Sequence, residues 1–160
     1  MTRRAQQRLV FHGALFMVVA MSAGTPGFYI AIHQEWTQYL RQYFRQAHSI
    51  LISTGIWMIA TGAALPSLEL TERGIAALVW SLIVSGYTFL VALGVLGLAF
   101  LLKRPTLPKQ WDQLMATPYH LGWVYVTLIS LSGAASFLAG AATVFGTYKA
   151  LHRSPLDAIH

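Results

Sequence analysis

Three histidines carry most of the chemistry that this sequence offers, because each lies inside or at the mouth of a long uncharged segment. His12 lies in residues 9–34, His48 in residues 46–68 and His120 in residues 113–148, and none of these segments contains Asp, Glu, Lys or Arg. Neutral imidazole is a natural ligand for haem iron or zinc. A ligating group at membrane depth is costly to bury and is therefore a candidate functional residue.

His48 is the strongest of these candidate ligands. It opens its segment and is followed by small or hydroxyl-bearing residues that leave room for a bulky planar group: Ser49, Ser53, Thr54 and Gly55. His12 has no second histidine three or four residues away and could instead bond a neighbouring helix, whereas His120 could be a boundary residue. The sequence has no H-x-x-x-H or E-x-x-H pair, so a dinuclear carboxylate site is weakly supported.

The cysteine count narrows the chemistry further, because the chain contains none. This excludes disulfides, thiolate ligation of haem, iron–sulfur clusters and thioether attachment of haem. Any metal or haem must therefore be held by His, Tyr, Met or a carboxylate.

The composition predicts that lipid surrounds the elements that position these histidines. The chain is 56% hydrophobic and 10% charged, whereas soluble domains average about 25% charged residues. A helix crosses the bilayer core with roughly 20 mostly apolar residues. The segments predict spans at about residues 9–32, 47–66, 74–102 and 117–149. Together with their loops, these spans make residues 1–160 a single membrane domain. The predicted fold class is all-α, a transmembrane four-helix up-down bundle.

Residues 33–46 have a different composition from the spans on either side. Apolar side chains recur there at helical spacing among Gln and Arg: Trp36, Tyr39, Leu40, Tyr43 and Phe44. This pattern predicts a short interfacial helix between spans one and two. The formal charge of +6 lies mostly in ends and loops, which favours phospholipid headgroups over nucleic acid as its partner. The distribution of Lys and Arg gives only a slight preference for cytoplasmic termini.

Small residues recur along the last two spans. The fourth span has Ser132, Ser136 and Gly140 spaced by four, and the third has Gly86, Gly94 and Gly97. Such ridges let helices approach closely in lipid. They are compatible with packing inside one chain and with a subunit interface.

Several short runs resemble one known family in order along the chain. They are FHG at residues 11–13, QAHS at 46–49, ALPSL at 64–68, the stretch 81–86 and VFGTYKAL at 144–151. The histidine and LPSL runs are the most specific. Together they resemble styrene oxide isomerase, a small four-span bacterial membrane enzyme, and the similarity covers most of the chain.

The resemblance implies a cofactor, an assembly and a reaction. Members of that family bind haem b between the protomers of a homotrimer, with the iron held by the histidine that matches His48. The ferric iron acts as a Lewis acid that opens an epoxide to a benzylic cation, and a hydride shift then gives an aldehyde without net redox change. A dry, aromatic-lined cavity suits this chemistry, because water would trap the cation as a diol. A multi-pass location in the bacterial inner membrane is implied as well.

The resemblance also assigns roles to residues of this chain. His48 is the expected iron ligand, with His12 and Trp57 as further haem-contacting residues. Thr54, Ser85 and Tyr87 are the expected residues around a small hydrophobic substrate, and Trp80 and Phe89 could line the same cavity. The family has an Asn six residues after its histidine, and an Asp and a Tyr eight apart on the third helix. Those positions are Thr54, Ser85 and Leu93 here, so the substrate-orienting groups differ while the ligand is kept.

Three functions remain open from the sequence. The first is an isomerase-like catalyst acting on an epoxide or another oxygenated substrate. The second is a non-catalytic haem protein that binds a gas or handles haem. The third is an electron-transfer cytochrome in which His120 or His12 is the second axial ligand. The occupancy of the sixth iron position separates them, because an open position favours chemistry or gas binding.

Overall fold

The computed structural model of the protein describes residues 2–33, 38–103 and 120–152, which are helical except for residues 68–71 and the turn at residue 152. Side-chain surroundings are described for residues 2–22, 45–96 and 120–152. The four helices are α1 (Thr2–His33), α2 (Gln38–Ala64), α3 (Glu72–Lys103) and α4 (Leu121–Leu151), with a 3-10 turn at Leu65–Ser67. No strand occurs within the described ranges. The all-helical fold class is therefore confirmed, whereas the up-down arrangement of four spans stays a prediction.

Among the described residues, three stretches are long and apolar enough to cross a membrane: Arg45–Ser67, Glu72–Leu96 and Leu121–Leu151. They coincide with the predicted second, third and fourth spans. The predicted first span, residues 9–32, extends beyond the side chains that the structure describes. Long apolar stretches form helices in lipid because every backbone N–H and C=O must find its partner inside the segment. The chain is therefore a multi-pass membrane protein.

The separate interfacial helix is not observed. Residues 38–46 continue without a break into the second span as part of α2. The stretch 38–54 contains neither Gly nor Pro, so nothing in it favours ending a helix where the composition changes. The side chains of residues 34–44, which gave the amphipathic pattern, lie outside the described surroundings.

Helix α4 begins at Leu121, four residues after the predicted start of the span at residue 117, which lies outside the described residues. His120 precedes the helix with φ of 55°. Left-handed backbone is uncommon for a residue with a side chain, although histidine adopts it more readily than most. This conformation separates His120 from the regular turns of α4 and matches its predicted place at a helix boundary.

The structure divides into two compact units, residues 1–83 with 138–160 and residues 84–137. In the first unit, α1 and α2 run antiparallel, since Ala20 meets His48 while Gly13 meets Gly55. Each helix contributes a buried stripe spaced by four, three and four residues: Leu9, Gly13, Phe16 and Ala20 from α1, and Leu51, Gly55, Met58 and Gly62 from α2. This period aligns one face of each helix along its length.

The start of α3 is fixed by local bonds in the first unit. Thr71 accepts a hydrogen bond from the Gly74 N–H on its hydroxyl at 3.2 Å and one from the Ile75 N–H on its carbonyl at 2.9 Å. A threonine in this position satisfies an N–H group that has no partner within the helix. The loop before it packs on α4, because the Glu69 N–H donates to the Gly146 carbonyl at 3.2 Å. Helix α3 accordingly begins at Glu72, two residues before the predicted span.

Candidate functional site

His48 lies one turn inside the apolar stretch Arg45–Ser67 of α2, half-buried against α1. Its Nδ1 lies 3.0 Å from the carbonyl oxygen of Ala20. A carbonyl can only accept a hydrogen bond, so Nδ1 carries the proton and Nε2 carries the lone pair. No side chain in the described surroundings bonds Nε2. The ring is therefore held in the tautomer and orientation that suit ligation of a metal through Nε2.

The position of Ala20 explains how α1 supplies this bond. Ala20 is fully buried, and it lies one turn after Phe16 on the α1 stripe that packs against α2. Its methyl side chain lets the two helices lie close at this level, so that the imidazole can reach the α1 backbone. Arg45 lies one turn before His48 on α2 and is exposed, which places a cation one helical turn from the candidate ligand.

The other predicted residues of the first unit do not all join His48. His12 is half-buried and lies beside Phe11, with ring centroids 5.4 Å apart. It neighbours Gly13, which meets the middle of α2 at Gly55 and Ile59. His12 therefore lies near mid-span, about 12 Å along the axis from Ala20.

Trp57 and Thr54 lie on α2 beyond His48, and both are half-buried. Nine residues separate Trp57 from His48, which corresponds to two and a half turns and places it on the opposite side of the helix. Thr54 is rotated by roughly 120° from His48. Trp80, expected to line the cavity, is 56% exposed in the first unit. The structure thus does not bring Trp57 and His48 to one face of α2.

Ser85 lies in the second unit at the centre of a buried hydroxyl cluster formed with Ser132 and Ser136. Ser132 Oγ donates to the Ser85 carbonyl at 2.9 Å, and the hydroxyls of Ser85 and Ser132 lie 3.3 Å apart. Because the Ser132 proton is committed to the carbonyl, Ser85 is the donor in the second contact. Ser136 then donates to Ser85 across 2.6 Å. Ser85 is therefore engaged in joining α3 to α4.

The predicted small-residue ridge is confirmed in part by this cluster. Ser132 and Ser136 contact α3 within the chain, as intramolecular packing requires. A Cβ added at Gly140 or at Gly94 would meet nothing within 4 Å, so these glycines do not mediate a close approach there. Gly97 lies outside the described side-chain surroundings.

Tyr87 and Leu93 also lie on α3 in the second unit. Tyr87 is half-buried and is rotated by about 200° from Ser85, so the two side chains leave the helix in different directions. Leu93, at the position where the resemblance expects a tyrosine, is 8% exposed. Phe89 is half-buried on the same helix. Ser85 and Tyr87 thus belong to one unit, and the predicted haem-contacting residues belong to the other.

Sequence reasoning missed three features of the site: the Ala20 carbonyl, the Gly13–Gly55 approach and the bonds of Ser85. A backbone carbonyl has no sequence signal, whereas Gly13 was noted only within the run at residues 11–13 and Gly55 only as a small residue after His48. Among residues 2–22, 45–96 and 120–152, no three His, Cys, Asp or Glu side chains come together as a metal-binding group. His48 therefore belongs to no such group within that part of the chain.

Comparison with known proteins assigns the family. No curated protein and no solved structure matches the chain. The sequence profile described as Styrene oxide isomerase matches residues 5–131, which is about four-fifths of the 160 residues and includes His48 with the whole of α2. The run at residues 144–151, which also carried the resemblance, lies beyond the matched residues. The match covers well over half of the chain, and the protein therefore belongs to the styrene oxide isomerase family.

Proposed function

We propose that the protein is a haem b-binding membrane isomerase that converts a small hydrophobic epoxide, or a related oxygenated substrate, to a carbonyl product. The bond between His48 Nδ1 and the Ala20 carbonyl is the observation that carries this proposal. It gives the one family-matched ligand the tautomer that ligates through Nε2. Family membership supports the reaction class.

The residues present suit haem better than a bare metal ion. Haem iron takes its four equatorial ligands from the porphyrin, so one protein imidazole can hold it. His48 would provide that imidazole, and the Ala20 carbonyl would fix the ring and raise its basicity as a ligand. Arg45, exposed one turn before His48, would pair with the carboxylates of the porphyrin. His12 and Trp57 remain predicted haem contacts.

A bound ferric haem supplies a Lewis acid for the epoxide oxygen. The chain itself supplies position and a water-poor setting. His48 fixes the location of the iron relative to α2, while the apolar surroundings of the spans keep water from adding to the opened substrate. Thr54, Ser85 and Tyr87 are the proposed substrate-orienting residues, and hydroxyls replace the family's Asn and Asp at the first two.

Spectroscopy of the purified protein tests the cofactor. We expect a non-covalent haem b that gives a pyridine haemochrome, and an open sixth position that binds carbon monoxide in the reduced protein. Colourless protein that fails to take up added haemin would contradict the proposal. A ferric spectrum with two histidine ligands and no binding of carbon monoxide would favour the electron-transfer alternative.

A matched pair of variants identifies the ligand. His48→Asn keeps an N–H that can donate to the Ala20 carbonyl but removes Nε2, and it should lose most of the haem. His152→Asn is the control, because His152 Nδ1 likewise bonds a carbonyl, that of Tyr148, at 2.9 Å, but on the exposed end of α4. Equal haem contents in the two variants would show that His48 is the wrong ligand.

We further propose that the protein is a homotrimer in the bacterial inner membrane. The family resemblance supports both statements. The apolar surface of α4, on which Phe137 and Leu151 are each 76% exposed, suits contact with lipid or with another copy. Native mass spectrometry in mild detergent should give a trimer. A monomer alone under those conditions would argue against a haem site shared between protomers.

A further inference from the structure

Helices α1 and α2 approach most closely where two glycines face each other. A Cβ added at Gly13 would lie 2.7 Å from the Gly55 carbonyl oxygen, and one added at Gly55 would lie 2.8 Å from the Gly13 carbonyl oxygen. Real Cβ atoms essentially never lie under 3.0 Å from another heavy atom. Since both obstacles are backbone oxygens, neither can be relieved by a side-chain rotation. Any larger residue at either position must move the helices.

The bond that orients His48 lies two turns from this approach. Seven residues separate Gly55 from His48 on α2, and seven separate Gly13 from Ala20 on α1, a distance of about 10 Å along each helix. The acceptor of the imidazole proton is a backbone atom of α1, whose position is set by the helix itself. The separation of the two helix axes therefore determines whether Nδ1 can reach the Ala20 carbonyl.

The distances leave little tolerance. Restoring a 2.8 Å contact to 3.4 Å, where ordinary van der Waals contact begins, requires about 0.6 Å of separation. Where the helices part by this amount along the line of the His48 bond, its 3.0 Å length becomes about 3.6 Å, which is no longer a hydrogen bond. A single methyl group at either glycine is therefore enough to release the ring.

We propose that Gly13 and Gly55 are positioning residues for His48, which hold the two helices close enough to keep the imidazole protonated on Nδ1 and to present Nε2 as the ligand. The haem part of this inference rests on the proposed function, whereas the tautomer part does not. Released from the carbonyl, the ring can exchange its proton between the two nitrogens and rotate about its side-chain bonds. Both changes leave Nε2 less available to a metal.

The test reads the tautomer directly in haem-free protein. Nitrogen-15 spectra of histidine-labelled protein in detergent distinguish a protonated from an unprotonated ring nitrogen, and His48→Asn identifies the His48 signals by their loss. We expect the Nδ1–H form to dominate in the unaltered protein, and its fraction to fall by about half or more in Gly55→Ala and in Gly13→Ala. Unchanged spectra in both folded variants would overturn the proposal.

Gly133→Ala is the matched control, because a Cβ there meets nothing within 4 Å, and its spectrum should match that of the unaltered protein. A shift in this control equal to that in Gly55→Ala would also overturn the proposal. Gly62→Ala gives a milder contact in the same helix pair, 3.2 Å from Leu9 Cβ and 3.3 Å from the Gln6 carbonyl. If neither severe variant folds, Gly62→Ala decides: a reduced Nδ1–H fraction supports the proposal and an unchanged one overturns it.

Haem titration separates this inference from the function on which it partly rests. Loss of a group that orients a metal-ligating histidine typically lowers affinity about 10- to 100-fold, and we expect Gly55→Ala to fall in that range relative to Gly133→Ala. If the unaltered protein binds no haem, the proposed function is wrong. The nitrogen-15 spectra still test whether the glycines position the His48 ring. If haem binds equally to both variants although the tautomer has changed, the extension to haem is overturned.

Discussion

Two polar links between helices in the described part of this protein use their hydrogen-bonding groups differently. In the first unit, His48 donates a hydrogen bond from one ring nitrogen to the Ala20 carbonyl and retains a lone pair on the other nitrogen. In the second unit, Ser85, Ser132 and Ser136 direct their hydroxyls at one another and at the Ser85 carbonyl. The first link orients an imidazole whose Nε2 lone pair can still bind a metal. The second is complete in itself and serves to hold α3 and α4 together.

This difference affects the interpretation of Ser85, which stands where the family resemblance expects an aspartate. An aspartate there would be available to a substrate only if it were not satisfied by its neighbours. Ser85 has the opposite character in this chain, because two serines of α4 occupy its hydroxyl. Bonds of this kind between membrane helices contribute about 0.6 kcal/mol each on average. The serine is therefore a modest stabilising residue whose place in catalysis can be tested separately.

The largest expected effect concerns turnover. Misplacing a reacting group by about 1 Å can cost on the order of 100-fold in rate, and we expect the unaltered protein to convert styrene oxide to phenylacetaldehyde slowly or undetectably. The combined change Thr54→Asn, Ser85→Asp and Leu93→Tyr should raise the rate, as measured by product formation in detergent or vesicles. Ser85→Asp alone shows whether the cluster position can reach the substrate.

A normal enzymatic rate in the unaltered protein, above about 1 per second, would contradict the expectation of slow turnover. It would show that the family's Asn, Asp and Tyr are dispensable and that the hydroxyl cluster is compatible with full catalysis. Because Leu93 is 8% exposed, a larger tyrosine could itself disturb packing. The pair Thr54→Asn and Ser85→Asp without the third change is therefore the appropriate control.

The next effect concerns stability at the glycine approach. Gly13→Ala should destabilise the protein by about 1–3 kcal/mol, as forced overpacking of a close contact does. Gly133→Ala should be neutral or stabilising by up to about 1 kcal/mol, since alanine has the higher helix propensity and meets no neighbour. Unfolding by denaturant in mixed micelles measures both. Equal stabilities would mean that the α1–α2 approach tolerates a methyl group.

A smaller effect is expected at the hydroxyl cluster. Ser85→Ala should lower stability by about 1 kcal/mol through the lost bonds to Ser132 and Ser136, and it should leave haem content unchanged. Ser53→Ala is the control, because the Ser53 hydroxyl bonds only the Ser49 carbonyl one turn earlier, on an exposed face. Loss of haem from Ser85→Ala, measured by absorbance per chain, would mean that the two regions cooperate in one site.

The smallest effect is expected from the charge beside His48. Arg45→Gln should weaken haem binding by no more than about 5-fold, because an exposed ion pair is screened by water and salt. The loss should disappear at high salt, whereas the loss in His48→Asn should not. A titration with haemin at two ionic strengths makes this comparison. A salt-independent loss in Arg45→Gln would indicate that the guanidinium is buried in the haem complex.

The sequence by itself determined where most of the helices lie and which residue is the candidate ligand. The apolar segments predicted α3 and most of α2 within about two residues, because in lipid a long apolar stretch has no alternative to helix. The small and hydroxyl-bearing residues that follow His48, together with the family resemblance, distinguished it from the other two histidines. The helix ends were predicted less accurately. Helix α1 begins at Thr2 rather than near Leu9, because the intervening Ala, Gln and Arg are themselves good helix formers.

Only the tertiary structure decided what these residues bond. The partner of His48 is the Ala20 carbonyl, a backbone group that every residue possesses and that no sequence pattern marks. The close approach of Gly13 to Gly55 and the engagement of Ser85 likewise depend on the register and rotation of one helix against another. Composition fixes whether a segment is a helix, because that requires only its own backbone. Which faces meet is a property of two helices together, so it is decided when they pack.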